Sequence, residues 1–153
     1  MYDLIKYIHV LAAIVWVGGA FYAQVLALQV RRSPDPDDIP KFGRNAEYIG
    51  TRVFIPASIT LFIAGAILVA QRWSFTQAWV SIGIALWLLS VLVGALYLGP
   101  RSKRIGELFA AEGPGSAAAR ALIDRLFLVS RLELVSFAVV VFLMVVKPGS
   151  GAA

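Results

Sequence analysis

Cysteine is absent from the 153 residues, and histidine occurs once, as His9. The first absence excludes a disulfide framework, a thiolate metal site and a cysteine nucleophile. The second excludes any metal site that takes two or more imidazoles from one chain. Charge is scarce too: 15% of residues are Asp, Glu, Lys or Arg, against about 25% in an average soluble domain. Beyond Met1 the only methionine is Met144. There is no Walker loop, dinucleotide glycine fingerprint, zincin motif or GxSxG elbow, so nothing supports an ATP-driven pump or a hydrolase. No paired carboxylates fall inside an apolar run.

What is present is apolar. Hydrophobic residues make up 59% of the chain, and the mean hydropathy is +0.79. Four long apolar stretches predict membrane spans at about 4–30, 53–71, 78–98 and 126–146. Each approaches or exceeds the roughly 20 residues a helix needs to cross the hydrocarbon of a bilayer. The middle two have no polar face at a 3.6-residue period, which a buried soluble helix would carry. The first is too long for a cleaved signal, and Asp3 offsets Lys6 ahead of it. The expected fold is all-α: an antiparallel four-helix transmembrane bundle, one domain over 1–153, bathed in lipid.

Lys and Arg total 14 against 9 Asp and Glu, a net charge of +5. The excess is concentrated in two connections. Arg31, Arg32, Lys41, Arg44 and Arg52 fall in 31–52, and Arg101, Lys103, Arg104, Arg120 and Arg125 in 99–125. The positive-inside rule assigns both loops to the cytoplasm and both termini to the outside. The charge therefore reads as topology, and no nucleic-acid partner is expected. Ser33 to Asp38 is a turn-rich acidic cluster suited to a helix start, and Pro40 to Gly50 reads as an interfacial helix. Gly113-Pro114-Gly115-Ser116 is expected to split the second loop into two short helices. Gly99-Pro100 and Lys147-Pro148 are expected to stop the third and fourth helices, and Pro148 to Ala153 carries no packing signal.

His9 lies about five residues inside the first span, roughly 8 Å deep. It shares a helical face with Ala12, Ala13, Trp16, Ala20, Ala23 and Gln24. Small residues with one large aromatic suit a neighbouring helix or a flat cofactor better than lipid. Two readings stand: a neutral imidazole hydrogen-bonded across helices, or an axial haem ligand, for which one histidine suffices. Met144, at similar depth in the fourth span, is an apolar filler or the second axial ligand. Arg52, four residues before Pro56, either binds an anion or snorkels at the interface. Arg72 either receives a haem propionate or is an interface charge. Arg131 and Glu133 are two apart and face different sides, so at least one is expected to face protein. Trp73, Trp79, Tyr2, Tyr7 and Tyr97 suit an interfacial aromatic belt, while Trp16 and Trp87 are expected to pack inside. Ser90 and Gly94 form a small-xxx-small pair, a signal for close helix contact within or between chains.

Several of these residues occur in an order that carries a resemblance. His9-x6-Trp16-x2-Gly19-x-Phe21-Tyr22, then Arg52-x3-Pro56-Ala57 followed by Gly65, then Val145-Val146-Lys147-Pro148 resemble the HemJ-type and CopD-like membrane proteins. The third span, ending Gly99-Pro100-Arg101, resembles a bacterial family known only as predicted integral membrane proteins of unknown function. The resemblance covers nearly the whole chain. HemJ-type proteins are four-helix membrane proteins that oxidise protoporphyrinogen IX and are associated with haem b. The resemblance thus implies a multi-pass protein of the bacterial inner membrane, haem b held by His9, and a redox or porphyrin-handling role. Carried onto this chain, the haem-iron ligand is His9; with the residues read above, the candidate cofactor-binding set is His9, Trp16, Arg52, Arg72 and Met144. The HemJ third helix has a functional Lys near its start; here Gln77 to Ile82 has none, so the resemblance bears on architecture more than on the reaction. CopD-like proteins imply copper handling, for which this chain lacks further His and Met ligands. The alternatives to a haem protein are a non-catalytic scaffold, as a homo-oligomer or within a larger membrane complex, and copper or small-solute transport.

Overall fold

The computed structural model describes residues 1–33, 35, 37–113 and 115–149. Pro34, Pro36 and Pro114 of the two turn clusters, and 150–153 of the tail, lie outside the described residues. Every regular element among the described residues is a helix: α1 (Tyr2–Arg32), α2 (Asp38–Ile49), α3 (Ile55–Arg72), α4 (Ala78–Leu92), α5 (Gly99–Glu112) and α6 (Ala117–Val146). Two short π-helical segments, Gly50–Phe54 and Val93–Leu98, join α2 to α3 and α4 to α5 without a break. The result is four continuous rods: Tyr2–Arg32, Asp38–Arg72, Ala78–Glu112 and Ala117–Val146, all long and apolar enough to span a membrane. The longest have 35 residues, roughly 50 Å of helix against about 30 Å of hydrocarbon. The surplus length forms a second layer at the end where the long loops were expected.

Register between the rods is fixed by named contacts. His9 meets Leu61, and Gly19 lies beneath Phe54, so α1 and α3 run antiparallel. Trp16 packs on Phe137, and Arg31 reaches Asp124, so α1 and α6 are antiparallel too. Gly83 sits against Met144, and further along the same rod Ile105 and Leu108 cluster with Ile123 and Phe127, so this rod and α6 are antiparallel as well. Three apolar clusters follow down the bundle. Val69, Trp79, Val80 and Leu143 form one near the chain termini. Ala12, Trp16, Leu61 and Phe137 form the middle one. Ala27, Ile105, Leu108, Phe109, Ala119, Ile123 and Phe127 hold the loop-end layer, where Ile39 and Phe42 of α2 pack on them. Most large apolar side chains outside these clusters, Ile14, Ile59, Ile63, Leu89 and Phe142 among them, are exposed on the protein surface. That pattern suits lipid as solvent.

Helix ends follow local chemistry. Ser116 caps α6, its hydroxyl accepting the Ala119 N–H at 3.1 Å. Gly113 ends α5 with φ 77, a left-handed conformation that a Cβ would strain. Lys147 ends α6 in the left-handed region, just before Pro148. Gly99-Pro100, by contrast, does not stop the third helix. The Gly99 N–H bonds the Gly94 carbonyl five residues back. This wider turn removes the clash an α-turn would have between the proline ring and the carbonyl four residues back. The same solution occurs before Pro56, where the Ile55 N–H bonds the Gly50 carbonyl. The described residues of 31–52 and 99–125 are accordingly mostly helical. A second difference concerns Trp79, which was expected in the aromatic belt. It is buried against Trp73, its ring edge-on at 5.3 Å.

Candidate functional site

All four rods contribute to one apolar cavity of about 350 Å³ in the terminal half of the bundle. Among the described residues lining it, His9 alone is ionisable. The His9 Nδ1–H donates to the Leu61 carbonyl at 2.9 Å. A carbonyl can only accept, so the proton of a neutral ring sits on Nδ1 and leaves Nε2 as a bare lone pair. The ring fits because position 65 is glycine. A Cβ built on Gly65 would lie 2.9 Å from His9 Cε1 and 3.2 Å from Nδ1. Histidine, carbonyl and glycine thus form one interlocked contact between α1 and α3.

Aromatic side chains make the walls. Trp16 lines the cavity and meets Phe137 at 4.3 Å between ring centroids. Phe62 stacks on Trp87 at 4.2 Å and 17°. The Trp87 indole N–H donates to the buried Ser58 hydroxyl at 3.0 Å. With that donor and His9 Nδ1–H both engaged, the described side chains lining the cavity offer one strong acceptor, His9 Nε2, beside the indole N–H of Trp16. Met144 lines the same cavity, its terminal methyl lying against Gly83. The histidine and the methionine picked out in the sequence therefore share one space.

The two arginines do not share it. Arg52 is exposed in the π segment, thirteen residues before Gly65 and so roughly 20 Å along the axis. Arg72 is seven residues after Gly65, and its guanidinium lies 4.2 Å from the centroid of the Tyr2 ring. Tyr2 in turn is seven residues before His9. Arg72 thus stands two turns above the histidine on the same side of the helix pair, roughly 10 Å away along the axis. Arg52 and Arg72 are about 30 Å apart on this measure and cannot serve one small ligand. Among the described residues no three of His, Cys, Asp and Glu come together. Glu133 is half-buried one turn below Phe137, whereas Arg131 is exposed.

Sequence reasoning missed the parts of the site that are not chemically distinctive. Leu61 acts through its backbone carbonyl, which no side-chain pattern reports. Phe62 and Ser58 act through Trp87. Gly83 matters only because Met144 lies over it.

No curated protein and no solved structure matches the chain. A family model described as predicted integral membrane protein (DUF2269) matches residues 3–148. That match runs from the start of α1 through Pro148 and takes in all four rods and the whole cavity. The chain belongs to the DUF2269 family of predicted integral membrane proteins.

Proposed function

We propose that the protein binds haem b through His9 and has a redox or porphyrin-handling role of the HemJ kind. The observation that carries this is the state of the imidazole. Metal-bound histidines ordinarily donate their second ring nitrogen to a carbonyl, carboxylate or water, which fixes tautomer and orientation. His9 has that arrangement with Leu61, and its bare Nε2 belongs to a residue lining an apolar cavity. Met144 lines the same cavity and would offer its thioether as a second ligand beside His9. Trp16, Phe62 and Trp87 provide flat apolar surfaces, and Arg72 above them suits an acidic substituent. The cavity volume is at the lower end of the range for small-molecule sites, and a flat macrocycle would also use its open side. Haem b, when bound, supplies one-electron chemistry at iron. The chain's own residues hold the imidazole still, exclude water and set the polarity. A scaffold would instead need the His9–Trp16 face closed by side chains, and that face lines a cavity.

The same reading includes the setting. The protein sits in a bacterial inner membrane, with the basic loop-end layer in the cytoplasm and both termini outside. The test is a visible absorption spectrum of detergent-purified protein from haem-replete cells, oxidised and reduced, beside His9→Ala and Met144→Leu. A Soret band that shifts on reduction and vanishes in His9→Ala is expected. A wild type that stays colourless after haem addition overturns the proposal.

A further inference from the structure

Side-chain contacts bridge most sides of the cavity, and its exposed lining residues mark where it opens. Towards the termini, Trp73, Trp79, Val80 and Leu143 form a packed lid, with Lys147 Nζ 4.6 Å from the Trp73 ring centroid. Towards the middle of the bundle, the Trp16–Phe137 contact makes a floor. Between α1 and α3 the wall is sealed by the His9–Leu61 hydrogen bond and by the imidazole on Gly65. Between α4 and α6 it is sealed by Met144 on Gly83. Between α3 and α4 the Phe62–Trp87 stack and the Trp87–Ser58 bond bridge the gap, with Phe62 and Phe75 partly exposed there, at 38% and 50%. The side that no ring stack, side-chain hydrogen bond or side-chain contact on a glycine bridges above the Trp16–Phe137 floor is between α1 and α6. There the lining residues are among the most exposed in the cavity: Ile14 at 62%, Val145 at 75%, and Val10 and Val141 at 47% and 44%. All four are aliphatic and lie at membrane depth.

We infer that the cavity exchanges its ligand sideways with the hydrocarbon of the bilayer, through an opening between α1 and α6 gated by Ile14 and Val141. The ligand class is therefore a molecule dissolved in the membrane, with an apolar body and one metal or hydrogen-bond donor for His9 Nε2. The route does not suit a water-borne solute, because apart from His9 and the indole N–H of Trp16 the lining side chains are apolar or already hydrogen-bonded, and desolvating polar groups without partners is costly. The inference rests on reading the cavity as a ligand site, but it does not depend on that ligand being haem.

The chain has no cysteine, so one introduced thiol reports access without background. Ala13→Cys on α1 and Ala66→Cys on α3 each place a thiol on the cavity wall. Two variants guard against a misfolded one. The full-length protein in phosphatidylcholine vesicles is treated with pyrene maleimide, which partitions into the bilayer, or with a charged methanethiosulfonate, which stays in water. Pyrene maleimide should label either cysteine, and the charged reagent should not. Adding Ile14→Trp should slow the labelling severalfold. Ile63→Trp, at a lipid-facing position outside the cavity, should leave it unchanged. Labelling by the charged reagent at a similar rate, no labelling of either cysteine, or indifference to Ile14→Trp each overturns the lateral route. None of these results depends on iron. A failed haem spectrum and a failed lateral route are therefore separate outcomes.

Discussion

Replacing Gly65 with alanine tests the His9 contact by the sign of its effect. In an exposed helix interior, Gly→Ala stabilises by about 1 kcal/mol. At Gly65 the new methyl group would meet His9 Cε1 at 2.9 Å and Nδ1 at 3.2 Å. The ring must move, which carries an overpacking cost of about 1–3 kcal/mol. Moving it also loses the bond to Leu61, and side-chain hydrogen bonds inside membranes average about 0.6 kcal/mol. The net expectation is a destabilisation of roughly 1–2 kcal/mol. Gly18, with nothing near its Cβ position, serves as the reference, and Gly18→Ala should stabilise by about 0.5–1 kcal/mol. Every atom within 4 Å of the Gly65 Cβ position belongs to His9. In a His9→Ala background, Gly65→Ala should therefore become stabilising. The assay is reversible unfolding in mixed micelles on the four members of the double-mutant cycle. If Gly65→Ala stabilises the wild type as Gly18→Ala does, or if the coupling is below about 0.5 kcal/mol, the sites are behaving independently and the reasoning is refuted.

Further predictions concern other contacts. Gly83→Ala meets only the flexible end of Met144; it should cost under about 1 kcal/mol in unfolding experiments while displacing the thioether, read as a shifted haem spectrum if His/Met ligation holds. Pro100→Ala should change stability by under about 1 kcal/mol, because the wider turn already accommodates the ring; a gain near 3 kcal/mol would mean that it does not. Asp124→Asn removes an exposed ion pair and should cost at most about 1 kcal/mol. Arg31→Ala should cost more, because that guanidinium also covers the Phe127 ring at 5.2 Å; equal effects by chemical denaturation would count against the packing role.

The membrane spans were legible because each is an uninterrupted apolar run near the length of a bilayer crossing. His9 and Met144 were legible as a pair because similar depths can be counted from the span ends. The separation of Arg52 from Arg72 follows from the same counting, since each lies at an opposite end of one helix. The cavity was not legible. It depends on the register of α1 against α3 and of α4 against α6, which is set by where Gly65 and Gly83 admit a side chain from another rod. The continuation of the helix through Gly99-Pro100 was hidden for a different reason. Proline predicts a break only when the turn before it is α-helical, and the widened turn there has no side-chain signature of its own. Trp79 was misassigned because distance from a span end does not tell which way an indole points.

The two π segments share a spacing, Gly50 to Pro56 and Gly94 to Pro100, in rods of opposite direction. A π turn holds one residue more than the α-turn it replaces. Each segment is thus equivalent to a single-residue insertion, and it offsets the helix beyond it by about 100°. Each segment thereby rotates the face that the loop-end half of its rod presents relative to the face presented by the half within the spans. Deleting one residue from either segment would close the turn to α-helix and bring the halves into phase. It would also rotate Ile39 and Phe42, or Ile105, Leu108 and Phe109, away from the cluster they complete. In a comparison of homologous chains, single-residue length differences at these two points would be expected to occur together with changes in the loop-end apolar residues, because neither keeps that layer packed alone.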